Sequence, residues 1–242
     1  VFILLLLRST ANVVFVRDLR TYRPDFAMIR RILGIGIPSG LENGIFQIGK
    51  VLVSSFIASY GTVAVAANSV ASNIAVIPSI PGTAVGLAMI TVVGQCVGAG
   101  DVKQARHYTK SLMGKAFLWL ALLNIPMYFL CPYFVSLYQV GAETARLAGD
   151  IIRLHSIFCF FFWPLAFTLP NALRAAGDAK FTMTTSIITM WTCRIALSWL
   201  LGTYLHMGVF GIWVAMIIDW IVRALIFGLR FRSPHWENKK TI

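Results

Sequence analysis

Two charged side chains lie inside the first long apolar segment of the chain, at Glu42 and Lys50. A charge at the centre of a bilayer costs about 3 kcal/mol even on the mildest insertion scales, so an intramembrane charge is a candidate for ion or substrate handling. A carboxylate is a costly way to hold two helices together. We therefore interpret Glu42 as a functional residue rather than a structural one.

Polar side chains continue along the same segment and into the next one. Built as a helix, the first segment has one polar stripe within about 80° of arc, and Glu42 lies beside this stripe. The second segment adds further amides and hydroxyls. Hydrogen bonds between helices are the preferred interpretation of the Asn and Ser side chains, with a shared cavity as the alternative. The polar residues of the two segments are Ser39, Asn43, Gln47, Lys50, Ser54, Asn68, Ser72 and Asn73.

A second group of charges lies near the C-terminal end. Asp219 and Arg223 stand four residues apart, the spacing that brings two side chains together on one helix face. Arg194, in the preceding apolar segment, is a further cation that Asp219 can pair with. These three residues are predicted to form a structural charge network that orients the helices.

No enzyme signature accompanies these charges. The sequence contains no H-E-x-x-H, no G-x-S-x-G and no P-loop. Its four cysteines stand singly, without zinc-ligand spacing, so no catalytic residue, cofactor or resident metal is predicted. A membrane-embedded enzyme stays as an alternative of a different class. It would need His, Asp or Ser side chains clustered at one bilayer face, whereas the four histidines are scattered.

Composition places these residues in a membrane. Of 242 residues, 58% are hydrophobic and 12% are charged. A soluble domain carries about 25% charged residues, so the charged share here is about half of that. A protein of this size needs more polar surface to stay in water. The sequence therefore predicts an integral membrane protein and argues against a soluble enzyme.

Hydropathy divides the chain into six apolar segments, and an all-α, polytopic transmembrane helix bundle is predicted. Residues 1–16 are expected to be the end of an upstream transmembrane helix, so the sequence is interpreted as truncated. Residues 17–31 are then a cytoplasmic linker, 32–230 a six-helix bundle and 231–242 a cytoplasmic tail. The six spans are 31–59, 63–97, 112–131, 147–173, 181–201 and 209–229.

Basic residues cluster on alternate connections between these spans. Lys and Arg are concentrated at 17–31, 103–115, 174–180 and 230–240, whereas the other connections are nearly free of them. This asymmetry predicts that the linker and the C-terminus are cytoplasmic in a multi-pass cell membrane protein. The basic clusters lack the interleaved aromatic residues of a stacking surface, so a lipid bilayer and not nucleic acid is the expected partner.

Four stretches of the sequence occur together in one transporter family. They are R-R-I-L-G-I-G-I-P-S-G-L-E-N from Arg30, G-T-V-A-V-A-A-N from Gly61, A-M-I-T-V-V-G-Q-C-V-G-A-G-D-V-K-Q-A from Ala88, and N-A-L-R-A-A-G-D-A-K from Asn171. In this order and spacing the chain resembles the C-terminal half of multidrug and toxic compound extrusion (MATE) transporters, over nearly all of residues 20–236. The resemblance implies a bacterial antiporter of two six-helix lobes, whose missing N-terminal lobe is the partner of this one.

The resemblance also implies roles for individual residues. The family exports organic cations and other small amphipathic compounds, including drugs, in exchange for Na⁺ or H⁺. Glu42 matches the seventh-helix acid that takes part in cation coupling in the NorM-like branch, and a transported Na⁺ would bind there. That branch also uses an acid on the tenth helix, and residues 151–173 contain none. The substrate cavity is expected to be lined by Asn43, Gln47, Lys50, Asn68 and Asn73.

Two alternatives within the membrane class stay open on the sequence. One is a lipid-linked oligosaccharide flippase of the same superfamily. A flippase would need several cationic residues along its cavity to bind the pyrophosphate of its substrate. The sequence offers only Lys50, Arg153 and Arg194 for this task. The other is a membrane subunit that does not transport.

Overall fold

A computed structural model describes residues 25–236, and all of their regular structure is helical. The predicted all-α fold class is therefore confirmed. The predicted upstream helix end at 1–16, most of the linker and the end of the tail lie outside the described residues. The helices are α1 (Phe26–Ala58), α2 (Thr62–Gly98), α3 (Val102–Ser136), α4 (Ala142–Trp163), α5 (Leu169–Ala175), α6 (Ala179–Thr189), α7 (Leu197–Trp199) and α8 (Gly208–Arg232).

In the described part of the chain, three π-helical segments interrupt the helices after α4. Pro164–Thr168 joins α4 to α5, Met190–Ala196 joins α6 to α7, and Leu200–Tyr204 follows α7. Such widened turns shift the register of the side chains that follow, and they often occur at functional sites. A short 3₁₀ turn at Pro234–Trp236 ends the described chain.

Between residues 25 and 236, four helical stretches are long and apolar enough to cross a membrane. They are Thr62–Gly98, Val102–Ser136, Ala142–Ala175 and Gly208–Arg232, and they correspond to the second, third, fourth and sixth predicted spans. The first and fifth predicted spans are also helical, over α1 and over the stretch from α6 to Tyr204. Both of these carry charges within their length. The total of six spans and the domain boundaries stay predictions.

Asp25 caps the start of α1. Its Oδ1 accepts hydrogen bonds from the backbone N–H groups of Ala27, at 2.9 Å, and Met28, at 3.1 Å. These donors have no partner within the helix, so the carboxylate supplies what the first turn lacks.

The core lies where α2, α3, α4 and α8 pack together. Small residues of α2 such as Ala67 and Ala71 are fully buried, which allows neighbouring helices to approach closely. Pro78 and Pro81 lie inside α2, and the helix continues past both. Beyond them, the Thr168 hydroxyl donates to the Gly82 carbonyl at 3.1 Å, which ties the first π-helical segment to α2.

Gly82 gives a direct test of this packing. A Cβ atom at Gly82 would overlap the Trp163 ring and lie 2.8 Å from Leu120 Cδ1. Gly82→Ala is therefore expected to destabilise the protein by about 1–3 kcal/mol, the usual cost of overpacking a core. Thermal unfolding in detergent measures this as a lower Tm.

Gly94 is the matched control on the same helix. A Cβ atom there would meet nothing within 4 Å. Gly94→Ala is therefore expected to melt at or slightly above the wild-type temperature, because alanine favours helix. Equal melting temperatures for the two variants would contradict the tight approach at Gly82.

Candidate functional site

Glu42 forms a partly buried ion pair with an arginine at the end of α5. Its Oε1 accepts a hydrogen bond from Arg174 Nη2 at 2.6 Å. The Glu42 side chain is 11% exposed and that of Arg174 is 24% exposed. Glu42 Oε2 is buried and has no hydrogen-bond partner among the described residues. One carboxylate oxygen is therefore committed to Arg174, and the other is available to a cation.

Neighbouring side chains hold the Arg174 guanidinium in place. Arg174 Nη1 donates to Asn171 Oδ1 at 2.8 Å, and Asn171 Nδ2 donates to the Phe167 carbonyl at 3.3 Å. A Cβ atom at Gly86 would lie 2.5 Å from Asn171 Nδ2, so α2 and α5 approach closely here. The pair thus connects α1 to the packed part of the bundle.

One turn further along α1, the Phe46 ring is surrounded by cations. Lys50 Nζ lies 5.3 Å from the ring centroid, and the guanidinium carbons of Arg194 and Arg223 lie 5.2 Å and 5.7 Å from it. Cations at these distances are attracted to the electron-rich face of an aromatic ring. Phe46 therefore gathers positive groups from α1, the second π-helical segment and α8.

The three residues Arg194, Asp219 and Arg223 lie together. Arg223 Nε donates to Asp219 Oδ1 at 2.8 Å, and Arg223 Nη2 donates to the Ser186 carbonyl on α6 at 2.9 Å. Arg194 Nη1 lies 3.9 Å from Asp219 Oδ2, an ion pair without hydrogen-bond contact. Asp219 is fully buried and Arg223 is 2% exposed. The group joins α8 to α6 inside the bundle.

A cavity of about 290 Å³ lies between α1, α2, the second π-helical segment and α8. Trp213 Nε1 donates to Asn68 Oδ1 at 3.1 Å across it. We call this cavity the α1–α8 pocket. Its polar lining consists of Lys50, Ser54, Asn68, Ser72 and Arg194, and its apolar lining consists of Val53, Ile57, Ile212, Trp213 and Met216.

The structure separates the residues that the sequence grouped together. Lys50 and Asn68 both line the α1–α8 pocket. Asn43, Gln47 and Asn73 are exposed and do not line it. Glu42 faces Arg174 instead of the pocket, although it lies on the same helix.

Sequence reasoning missed Arg174, which it placed only in a basic cytoplasmic cluster. The available signal was the N-A-L-R run, because Asn171 and Arg174 at i and i+3 share a helix face. In the described part of the chain, no group of three or more His, Cys, Asp or Glu side chains could hold a metal ion. A Na⁺ ion at Glu42 would therefore need carbonyl, hydroxyl or water oxygens as its other ligands.

Apolar helices of membrane length thus surround a positively charged pocket and a partly buried ion pair, an arrangement typical of membrane transport proteins. The MatE family model matches residues 38–200. The chain therefore belongs to the MatE family, and its relatives include proteins named as probable multidrug resistance proteins.

Two relatives and one solved structure illustrate the similarity. The uncharacterised transporter YisQ of Bacillus subtilis is 31% identical over 215 residues, which cover 87% of this chain and 46% of YisQ. The probable multidrug resistance protein NorM of Thermotoga maritima is 22% identical over 219 residues, or 90% of this chain and 47% of NorM. An outward-facing multidrug resistance MATE family transporter of the MOP superfamily superimposes with a TM-score of 0.85 at 19% identity, over 96% of this chain and 52% of that one. The chain spans about half the length of the relatives it matches.

Proposed function

We propose that this chain is the C-terminal lobe of a secondary active antiporter that exports small organic compounds in exchange for Na⁺ or H⁺. The N-terminal lobe is its partner, and access to the cavity alternates as the two lobes rock. The observation that carries the proposal is the partly buried pair of Glu42 and Arg174, with one oxygen of Glu42 free of hydrogen bonds among the described residues.

Cation binding acts on this pair. With Glu42 ionised, the 2.6 Å contact to Arg174 attaches α1 to the end of α5. A proton or Na⁺ ion at Glu42 Oε2 takes up part or all of the negative charge, so the attraction to Arg174 weakens. The cation thereby changes the relative free energies of the inward- and outward-facing states.

The same helix connects the cation site to the substrate site. Glu42 and Lys50 are eight residues apart on α1, a rise of about 12 Å. Lys50 lines the α1–α8 pocket, so a movement of α1 after cation binding reaches the pocket directly. Substrate export and cation entry are then coupled through one helix.

The remaining residues have simpler roles in this proposal. Asn43, Gln47 and Asn73 are exposed on this lobe and line the cavity that faces the second lobe. Arg194, Asp219 and Arg223 hold α6, α8 and the second π-helical segment in position. The C-terminus is cytoplasmic and the membrane is the bacterial cell membrane. The multidrug resistance names of the relatives favour export over the flippase alternative.

Transport by reconstituted protein tests the proposal. The transporter at its natural length is placed in proteoliposomes, and a Na⁺ gradient or a proton gradient is imposed separately. A panel of amphipathic drugs and dyes is tested, and some of them are expected to move against their own concentration gradient under one of these conditions. Their transport is expected to stop when an ionophore collapses the imposed ion gradient. Fluxes that are the same with and without both gradients would overturn the antiport proposal.

A further inference from the structure

We propose that the α1–α8 pocket binds the anionic head group of an amphipathic substrate, such as an aryl carboxylate, sulfonate or phosphate ester. This inference rests on the proposed transport function and names its substrate class. It departs from the organic cations that the family resemblance implies. Three features of the pocket carry it, namely its charge, its hydrogen-bond donors and its apolar wall.

The charged lining of the pocket is entirely positive. Lys50 and Arg194 line it, and no carboxylate does. Lys50 has no acidic side chain within 4.0 Å among the described residues. The acid of the neighbouring charge network, Asp219, is already bonded to Arg223 at 2.8 Å and lies 3.9 Å from Arg194. Around the pocket, the three cations Lys50, Arg194 and Arg223 are therefore accompanied by a single described carboxylate, Asp219.

The uncharged polar lining can donate to an anion. The indole N–H of Trp213 can only donate, so the Asn68 atom that it contacts at 3.1 Å must be the carbonyl oxygen. The amide orientation of Asn68 is thereby set, and its NH₂ group is left to donate elsewhere. Together with the Lys50 ammonium and the Arg194 guanidinium, this NH₂ group gives the pocket donors of charge-assisted hydrogen bonds.

The rest of the lining suits the apolar body of an amphiphile. Ile57, Ile212 and Met216 form the wall beside the Trp213 ring. The volume of about 290 Å³ lies near the lower end of known ligand pockets, about 300 Å³, and accommodates one aromatic ring with its acidic substituent. A cationic ligand would meet Lys50 and Arg194 directly. It also finds the Phe46 ring already in contact with three cations.

A pair of dyes with one ring system and opposite charge tests the inference. Both dyes carry a phenyl ring on a shared xanthene. In fluorescein, an anion at neutral pH, that phenyl ring bears a free carboxylate and is the part expected to enter the pocket. In rhodamine 6G, a cation, the same ring bears an ethyl ester. Binding to the purified transporter at its natural length is measured by fluorescence polarisation in detergent. The wild type is expected to bind fluorescein more tightly than rhodamine 6G.

Lys50 variants assign the preference to the pocket. Lys50→Gln is expected to weaken fluorescein binding about tenfold, the loss of one charge-assisted contact, and to leave rhodamine 6G binding unchanged or improved. Lys50→Arg retains the charge and is expected to retain fluorescein affinity. Lys103→Gln removes an exposed lysine of α3 outside the pocket and serves as the control.

The outcomes separate this inference from the transport proposal. Equal or tighter binding of rhodamine 6G by the wild type, or a Lys50→Gln variant that binds fluorescein like the wild type, would overturn the anion inference alone. Gradient-driven export of cationic dyes would leave the antiport proposal standing. Binding of fluorescein with no gradient-dependent flux of any compound would instead remove the antiport proposal and leave the anion site.

Discussion

Glu42→Gln is expected to reduce gradient-driven export about 5- to 150-fold, the range that corresponds to a typical coupling free energy. Glutamine has nearly the same shape as glutamate but cannot take up a proton or neutralise a Na⁺ ion. The variant also removes the negative charge that attracts Arg174, whose Nη2 lies 2.6 Å from Glu42 Oε1. The attachment of α1 to α5 then no longer changes when a cation binds. Initial rates in proteoliposomes, with and without the imposed gradient, measure the effect.

Two further variants sharpen this result. Glu143→Gln changes an exposed carboxylate in the first turn of α4 and is expected to export at the wild-type rate. Arg174→Gln leaves Glu42 present but without its cationic partner, so export is expected to fall while dependence on the gradient persists. A Glu42→Gln protein that folds and still couples export to either ion gradient would remove Glu42 from the mechanism.

Asp219→Asn is expected to lower the free energy of unfolding by about 3–5 kcal/mol, because breaking a buried ion pair leaves an uncompensated charge. Arg223 is 2% exposed and would lose the negative charge of its partner, while its bond to the Ser186 carbonyl at 2.9 Å remains. Arg194 would lose the carboxylate that lies 3.9 Å away. Denaturant unfolding in micelles, followed by the signal of the buried tryptophans, measures the change.

Asp150→Asn is the matched control for this prediction. Asp150 pairs with Arg153 at 3.5 Å, but its side chain is 50% exposed. Exposed pairs contribute about 0–1 kcal/mol, so this variant is expected to unfold close to the wild type. The double variant Asp219→Asn/Arg223→Gln should recover part of the lost stability, since it removes the stranded cation as well. If Asp150→Asn and Asp219→Asn lowered the free energy of unfolding by similar amounts, burial would not explain the contribution of the Asp219 ion pairs.

Features that depend on near neighbours along the chain could be predicted from the sequence. The apolar segments predicted an all-α membrane protein, because length and hydropathy decide whether a helix can cross a bilayer. The i, i+4 spacing of Asp219 and Arg223 brings their side chains together in any helix. In the structure, Arg223 Nε lies 2.8 Å from Asp219 Oδ1. Motifs along residues 20–236 indicated the MATE family, and the family match over residues 38–200 confirms it.

Features that depend on how the helices are rotated against one another required the tertiary structure. Glu42 and Arg174 are 132 residues apart, and Asn68 and Trp213 are 145 residues apart. A helical wheel places Asn43 and Lys50 on one stripe, but it does not say which part of that stripe faces other helices. Rotation and register are decided by packing at points such as Gly82 and Gly86, where an added methyl group would overlap its neighbours. The sequence by itself thus determined the membrane class and which charges lie within apolar segments. Tertiary packing decided which charges meet, because contacts between helices depend on side chains far apart in the chain.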